Sequence, residues 1–180
     1  YAPDKRVALF DVDYSFSGKN VMLRGVTTSA EAKAALLNGL SKADYQVMDC
    51  LQVLPDEAAL EGKTYGIINV SVSNLRVDPD FSSEMMTQGL MGMPVRVLQR
   101  DGWYRIQTPD NYIAWVHRVG IHPVTKEELH VWNRAEKIVV TSHYGFVYSE
   151  PNQSSQTVSD VVAGNRLKWE GTKGAFYKVA

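Results

Sequence analysis

Cysteine is almost missing from this chain of 180 residues: Cys50 stands alone. A single thiol excludes an internal disulfide framework and any cysteine-based metal cluster. Histidine is scarce too. His117 and His122 are five apart, with no third ligand in the pattern, whereas a metal site needs three or four convergent ligands. No metal and no cofactor is therefore expected. Runs of one charge are also absent: 19 basic against 20 acidic residues leave a formal net charge of −1. A nucleic-acid surface needs a clustered basic face to release counterions, so nucleic acid is not an expected partner. No apolar stretch approaches the ~20 residues that span a bilayer, and no transmembrane segment is expected. The sequence opens at Tyr1 with no basic or apolar leader, so a leader, if there was one, is expected to be missing from it. What remains is an ordinary globular composition, 44% hydrophobic and 22% charged, long enough for one large domain or two to three small ones.

The first 62 residues read as a small α+β unit. Ala8, Phe10, Val12, Tyr14 and Phe16 alternate with polar residues, the pattern of a half-buried strand. Ser17-Gly18-Lys19-Asn20 is a turn, and Val21 to Val26 completes a hairpin. Thr28 and Glu31 have the spacing of a capping box. Behind them Ala32, Ala35, Leu36, Gly39 and Leu40 mark one apolar helical face. Tyr45 to Leu54 is a third strand, followed by a turn at Pro55-Asp56 and a short helix near Ala58 and Leu60. The order β-β-α-β resembles the BON-type domain of bacterial envelope proteins. Asp49-Cys50 echoes the Asp-Cys that opens the nucleophile motif of papain-like wall peptidases. Here, however, Leu51-Gln52 continue a strand, and no histidine precedes His117 to lower the thiol pKa. Cys50 is read as a structural, small apolar residue.

From residue 63 onward the chain repeats itself. Pro79 and Pro151, Ser82-Ser83 and Ser154-Ser155, Gly92 and Gly164, Gly102 and Gly174 all stand 72 apart. Trp103-Tyr104 meets Phe176-Tyr177 after one inserted residue. Each copy has short strands rich in β-branched and aromatic residues, broken by Gly or Pro about every ten residues, which describes a small barrel or sandwich. In the first copy, residues 94–98 and 103–107 form a hairpin around Arg100-Asp101-Gly102, and Tyr112 to Val116 supplies a closing strand. The second copy stops before any counterpart of that strand, which leaves an open edge. Between the copies, Thr125 and Glu128 make a capping box for a short connector helix. The expected units are therefore 1–62 (α+β), 63–122 (first barrel), 123–136 (packed helical connector) and 137–180 (second barrel, incomplete).

Asn74-Leu75-Arg76 with Pro79, the Gly92 turn, Asp101-Gly102-Trp103-Tyr104 and Ala114-Trp115-Val116 resemble the bacterial SH3-like domain. An α+β start followed by two such barrels resembles the N-terminal part of γ-D-glutamyl-L-diamino-acid endopeptidases (dipeptidyl-peptidase VI). In these bacterial cell-wall enzymes an NlpC-type cysteine peptidase domain follows the barrels. The resemblance implies that catalytic residues lie beyond Ala180, in a C-terminal peptidase domain. It also implies an exported protein of the periplasm or cell envelope. Its partners would be cell-wall peptides with a free N-terminal L-Ala followed by D-Glu, recognised by the first barrel. That family's acid follows the Pro-containing loop, where Glu84 stands, and its tyrosine precedes the closing Trp strand, where Tyr112 stands. An ammonium needs such a carboxylate, because burying it unpaired costs several kcal/mol.

Four bland or rival readings stand beside this one. Glu84 in a polar loop is compatible with simple solvation, and Tyr112 with a half-buried strand aromatic. Trp103 and Trp115 are candidates to line a groove for a Pro-rich peptide, although at least one is expected in the core. A non-catalytic envelope scaffold that binds peptidoglycan or a protein is the alternative function.

Overall fold

Apolar residues at every second position from Phe10 build β1 (Phe10–Ser17), and Gly18, at φ +61°, turns the chain into β2 (Asn20–Thr27). The computed structural model describes residues 4–180; residues 1–3, where the first expected unit begins, lie outside the described residues. A helix, α1 (Ala30–Lys42), then crosses over, and β3 (Gln46–Val53) returns parallel to β2, giving the sheet order β1-β2-β3. A parallel pair needs just such a crossover. Leu36, Leu37 and Leu40 of α1 pack on Val21, Leu23 and Leu51.

Several local expectations give way to tertiary effects. The N-cap of α1 is Ser29, whose hydroxyl accepts from Ala32 N–H at 3.0 Å. Thr28 is engaged instead by Leu9, whose N–H donates to its Oγ1 at 3.0 Å. Tyr14 is 69% exposed and Phe16 is exposed as well. The helix covers β2 and β3 and leaves the edge strand β1 open, so alternation there does not mean burial. Cys50 is exposed too, on the β3 face turned away from α1. Residues 57–62 form turns, not a helix, anchored by buried Leu60.

Seven strands form the middle of the molecule: β4 (Tyr65–Ile68), β5 (Val72–Arg76), β6 (Met85–Leu90), β7 (Pro94–Asp101), β8 (Trp103–Gln107), β9 (Ile113–His117) and β10 (Ile121–Val124). Their order is β10-β4-β7-β8-β9-β5-β6. Ile68, Leu75, Val97, Ile106 and Val116 fill its core, and Trp115 is 8% exposed. The expected barrel is not closed: no ladder joins β10 to β6. At that end of the β5–β6 hairpin, the backbone is satisfied by the following half of the chain. Asn165 Nδ2 donates to the Ser71 carbonyl at 2.8 Å, and Arg166 N–H donates to the Met91 carbonyl at 2.9 Å.

Thr125 and Glu128 form the expected capping box of α2 (Lys126–Arg134), with bonds of 3.3 and 2.8 Å. None of its residues is fully buried, while Leu129 and Trp132 are partly covered. Beyond it come β11 (Lys137–Val139), β12 (Tyr144–Tyr148), β13 (Thr157–Val162), β14 (Arg166–Lys173) and β15 (Phe176–Val179). Their pairings repeat those of the first copy. Val72↔Leu90 becomes Tyr144↔Val162, and Tyr65↔Arg96 becomes Lys137↔Lys168, each at an offset of 72. Arg100↔Tyr104 becomes Thr172↔Tyr177 after the inserted residue. In the first copy, β9 bridges β8 to β5 and makes one sheet; here β12–β13 and β11–β14–β15 stay separate.

Gly92 ties the two copies together. Its φ is +82°, and a Cβ there would lie 2.3 Å from the Arg166 carbonyl oxygen. Gly102 has φ +67° with nothing within 4 Å. Gly92→Ala is therefore expected to lower the thermal midpoint by several degrees more than Gly102→Ala, which carries only the left-handed penalty of about 1–2 kcal/mol. Equal shifts in calorimetry would refute the role given to this contact.

Candidate functional site

An apolar cluster of Leu9, Leu54, Leu98 and Ile113, with Val26 against it, presses the start of the chain onto the seven-stranded sheet. Backbone bonds reinforce the seam. Ile113 N–H donates to the Arg6 carbonyl at 2.6 Å, and Gln107 Nε2 donates to the Val7 carbonyl at 3.2 Å. Between the docked segment and the sheet lies a cavity of about 590 Å³. Lys5, Arg6 and Asp11 form one wall, Asp78 and Glu84 to Thr87 the second, and Arg105, Tyr112 and Ile113 the third.

Each wall has a local cause. The loop from Asp78 to Ser83 folds on itself. Ser83 Oγ accepts from Asp78 N–H at 2.9 Å, and one Asp80 carboxylate oxygen accepts from both Ser82 N–H and Ser82 Oγ at 2.7 Å. These bonds hold the Asp80 carboxyl below its ordinary value. Arg76 also donates to the Ser83 carbonyl, and Val77 N–H donates to the Glu84 carbonyl at 3.0 Å. Glu84 thus leaves the loop at a fixed point, exposed at the cavity rim. Tyr112 follows a tight turn in which Asn111 takes φ +71°. Thr108, nearly buried, donates to the Tyr112 carbonyl through both its N–H (2.9 Å) and its hydroxyl (3.2 Å). That turn leaves Tyr112 half-buried on the cavity wall.

The two residues singled out in the sequence, Glu84 and Tyr112, therefore line one cavity. Trp103 and Trp115 part company. Trp115 is in the core, whereas Trp103 stacks with Phe81 and His117 at ring separations of 4.8 and 5.0 Å, outside the cavity. Arg105 escaped the sequence reading. It stands directly across from Trp115 in the β8–β9 ladder, with its guanidinium carbon 5.3 Å from the indole centre. Burial pushes its pKa down, while the carboxylates of Asp11 and Asp78 push it back up. A charged residue facing Trp across a predicted hairpin was the available signal. The wall supplied by Lys5, Arg6 and Asp11 had none, because only the folded seam brings it there.

Chemically, the cavity offers carboxylates and cations around a partly apolar floor. Such a lining has the chemistry to complement a small polar group with charges of both signs.

Residues 75–120 match the family described as the bacterial dipeptidyl-peptidase Sh3 domain. Two solved structures share the fold. One is an NlpC/P60 family protein from Bacillus cereus ATCC 10987, with 18% identity and a TM-score of 0.51, over 64% of this chain and 50% of that one. The other is an NlpC/P60 endopeptidase from Photobacterium damselae subsp. piscicida, with 14% identity and a TM-score of 0.50, over 71% of this chain and 33% of that one. The chain thus spans half of the first relative and a third of the second. No curated protein matches it.

The Asp80 bonds give the loop a pH signature. The folded-state pKa lies below the free value of 3.8. The loop's stabilisation is therefore complete above that value and disappears as pH falls through the lowered one. The Ser82 amide resonance is expected to titrate with a midpoint below 3.8, and Asp80→Asn is expected to abolish the step. A midpoint at or above the free value would refute it.

Proposed function

We propose that this chain is the substrate-recognition and targeting part of a bacterial γ-D-glutamyl-L-diamino-acid endopeptidase acting on cell-wall peptides. On this reading the catalytic cysteine peptidase domain belongs to a part of the protein outside the chain, and the protein is exported to the periplasm or envelope. The match to a dipeptidyl-peptidase Sh3 domain over residues 75–120 and the NlpC/P60 fold relatives support the general setting. We take residues 63–122 as the first SH3-like unit, 137–180 as its incomplete repeat, and 1–62 as a BON-like unit.

One observation carries the finer reading: Glu84 and Tyr112, 28 residues apart in sequence, line the same cavity. Glu84 takes the free ammonium of an N-terminal L-Ala, and the Tyr112 hydroxyl fixes its direction. A charge-assisted bond of this kind contributes about 1.5–3 kcal/mol. The carboxylate also excludes an N-acetylated terminus, which has no positive charge to offer.

Titration calorimetry of the 180-residue chain with L-Ala-γ-D-Glu-L-Lys amide tests this. Glu84→Gln is expected to weaken binding about 10- to 100-fold. The N-acetylated peptide is expected to bind weakly and to be indifferent to the substitution. Equal losses for the free and acetylated peptides would overturn the assignment.

A further inference from the structure

Two arginines line the cavity, and they differ in one respect. Arg6 is already paired, with Nε and Nη2 on the Asp4 carboxylate at 2.9–3.2 Å. Arg105 is half-buried, and among the described residues its side chain donates no hydrogen bond and forms no ion pair. Asp11 and Asp78 are close enough to act on its charge but do not bond to it. A guanidinium is a plane: one face can stack on a ring while five N–H donors remain along its edge. Here the guanidinium carbon lies over the Trp115 ring, 5.3 Å from its centre, and Trp115 is itself held in the core. So fixed a ring anchors the position of the Arg105 head group and uses none of its N–H donors. Partial burial has thinned the water around a cation whose donors the protein does not satisfy. A group in that condition gains more from an anionic ligand than a hydrated surface arginine does.

We infer that Arg105 receives a carboxylate of the cavity's ligand, so that the site recognises a zwitterion with its ammonium at Glu84 and its carboxylate at Arg105. This rests on the peptide reading above for the identity of the ligand. In a peptide that continues through the γ-carboxyl of D-Glu, the α-carboxylate of that residue stays free, immediately after the N-terminal L-Ala. That carboxylate is the group Arg105 takes. The site therefore distinguishes D-Glu from D-isoglutamine, in which the same position is a neutral amide. Arg105 becomes a specificity-determining residue that senses amidation of the cell-wall peptide.

The test compares L-Ala-γ-D-Glu-L-Lys amide with its D-isoglutamine counterpart on the 180-residue chain, by calorimetry. Amidation is expected to weaken binding to the wild type about 10- to 100-fold. Arg105→Met, which keeps much of the stem over Trp115, is expected to bind both peptides alike while still preferring a free to an acetylated N-terminus. Arg105→Lys is expected to retain part of the discrimination, since it keeps the charge and loses the fork. Unchanged discrimination in Arg105→Met, or none in the wild type, would overturn the inference. A second measurement separates it from the peptide reading. If the wild type binds neither peptide, succinate is titrated while the Arg105 Nε–H and Trp115 indole resonances are followed. Saturable shifts, lost in Arg105→Met, would support a carboxylate site without the peptide; no shift would overturn the inference as well.

Discussion

The cavity exists because four apolar side chains, Leu9, Leu54, Leu98 and Ile113, are buried against one another. They come from the start of the chain, the exit of β3, the middle of β7 and the start of β9. Each fully buried aliphatic side chain contributes about 1.5–3 kcal/mol, so the seam is strong enough to fix how the first sheet meets the second. Removing it would leave Glu84 and Tyr112 on their own loops, each still locally held, with no wall of Lys5, Arg6 and Asp11 opposite. The polar chemistry of the site depends on an apolar contact, two of whose members, Leu9 and Ile113, also line the cavity.

The repeat separates what the architecture needs from what the site needs. The loop bonds recur pair by pair. Ser83 Oγ accepts from Asp78 N–H, and Ser155 Oγ accepts from Glu150 N–H; Ser82 N–H donates to Asp80, and Ser154 N–H donates to Asn152. Gly92 and Gly164 share a left-handed backbone at φ +82° and +92°. The bulges fall at equivalent places, between Leu75 and Arg76 and between Val147 and Tyr148. The chemistry does not recur. Gln156 stands where the first copy has Glu84, and Lys178 stands in place of Arg105. A shared backbone thus carries Glu84 and Arg105 in the first copy and different side chains at both places in the second.

Much of this was legible in the sequence, and the exceptions have physical causes. Hairpins around Gly18 and Gly102 follow from turn chemistry within a few residues, and so does the Thr125 cap. Glu84 and Tyr112 were reached through the SH3-like resemblance, which fixes positions relative to a Pro loop and a Trp strand. Thr28 failed as a cap because Leu9, 19 residues away, takes its hydroxyl. Tyr14, Phe16 and Cys50 failed as buried residues because periodicity says which side chains share a face, not which face a helix covers. Arg105 needed the register of two strands, and the open edge of the barrel needed knowledge of what Asn165 and Arg166 do at its rim.

The bond from Gln107 to Val7 joins residues 100 apart, which has a consequence for the order of assembly. Contacts of that span are reached only after large loops have closed, and loop closure is an entropic cost that local hairpins escape. The strand ladders can form without the N-terminal segment, whereas the cavity cannot. Undocking that segment breaks the seam and a few backbone bonds but no ladder, so it is a subglobal opening with a free energy of its own. Lys5 and Arg6, the part of the first wall that precedes β1, are therefore the part of the site whose exchange with water follows a local equilibrium and not global unfolding.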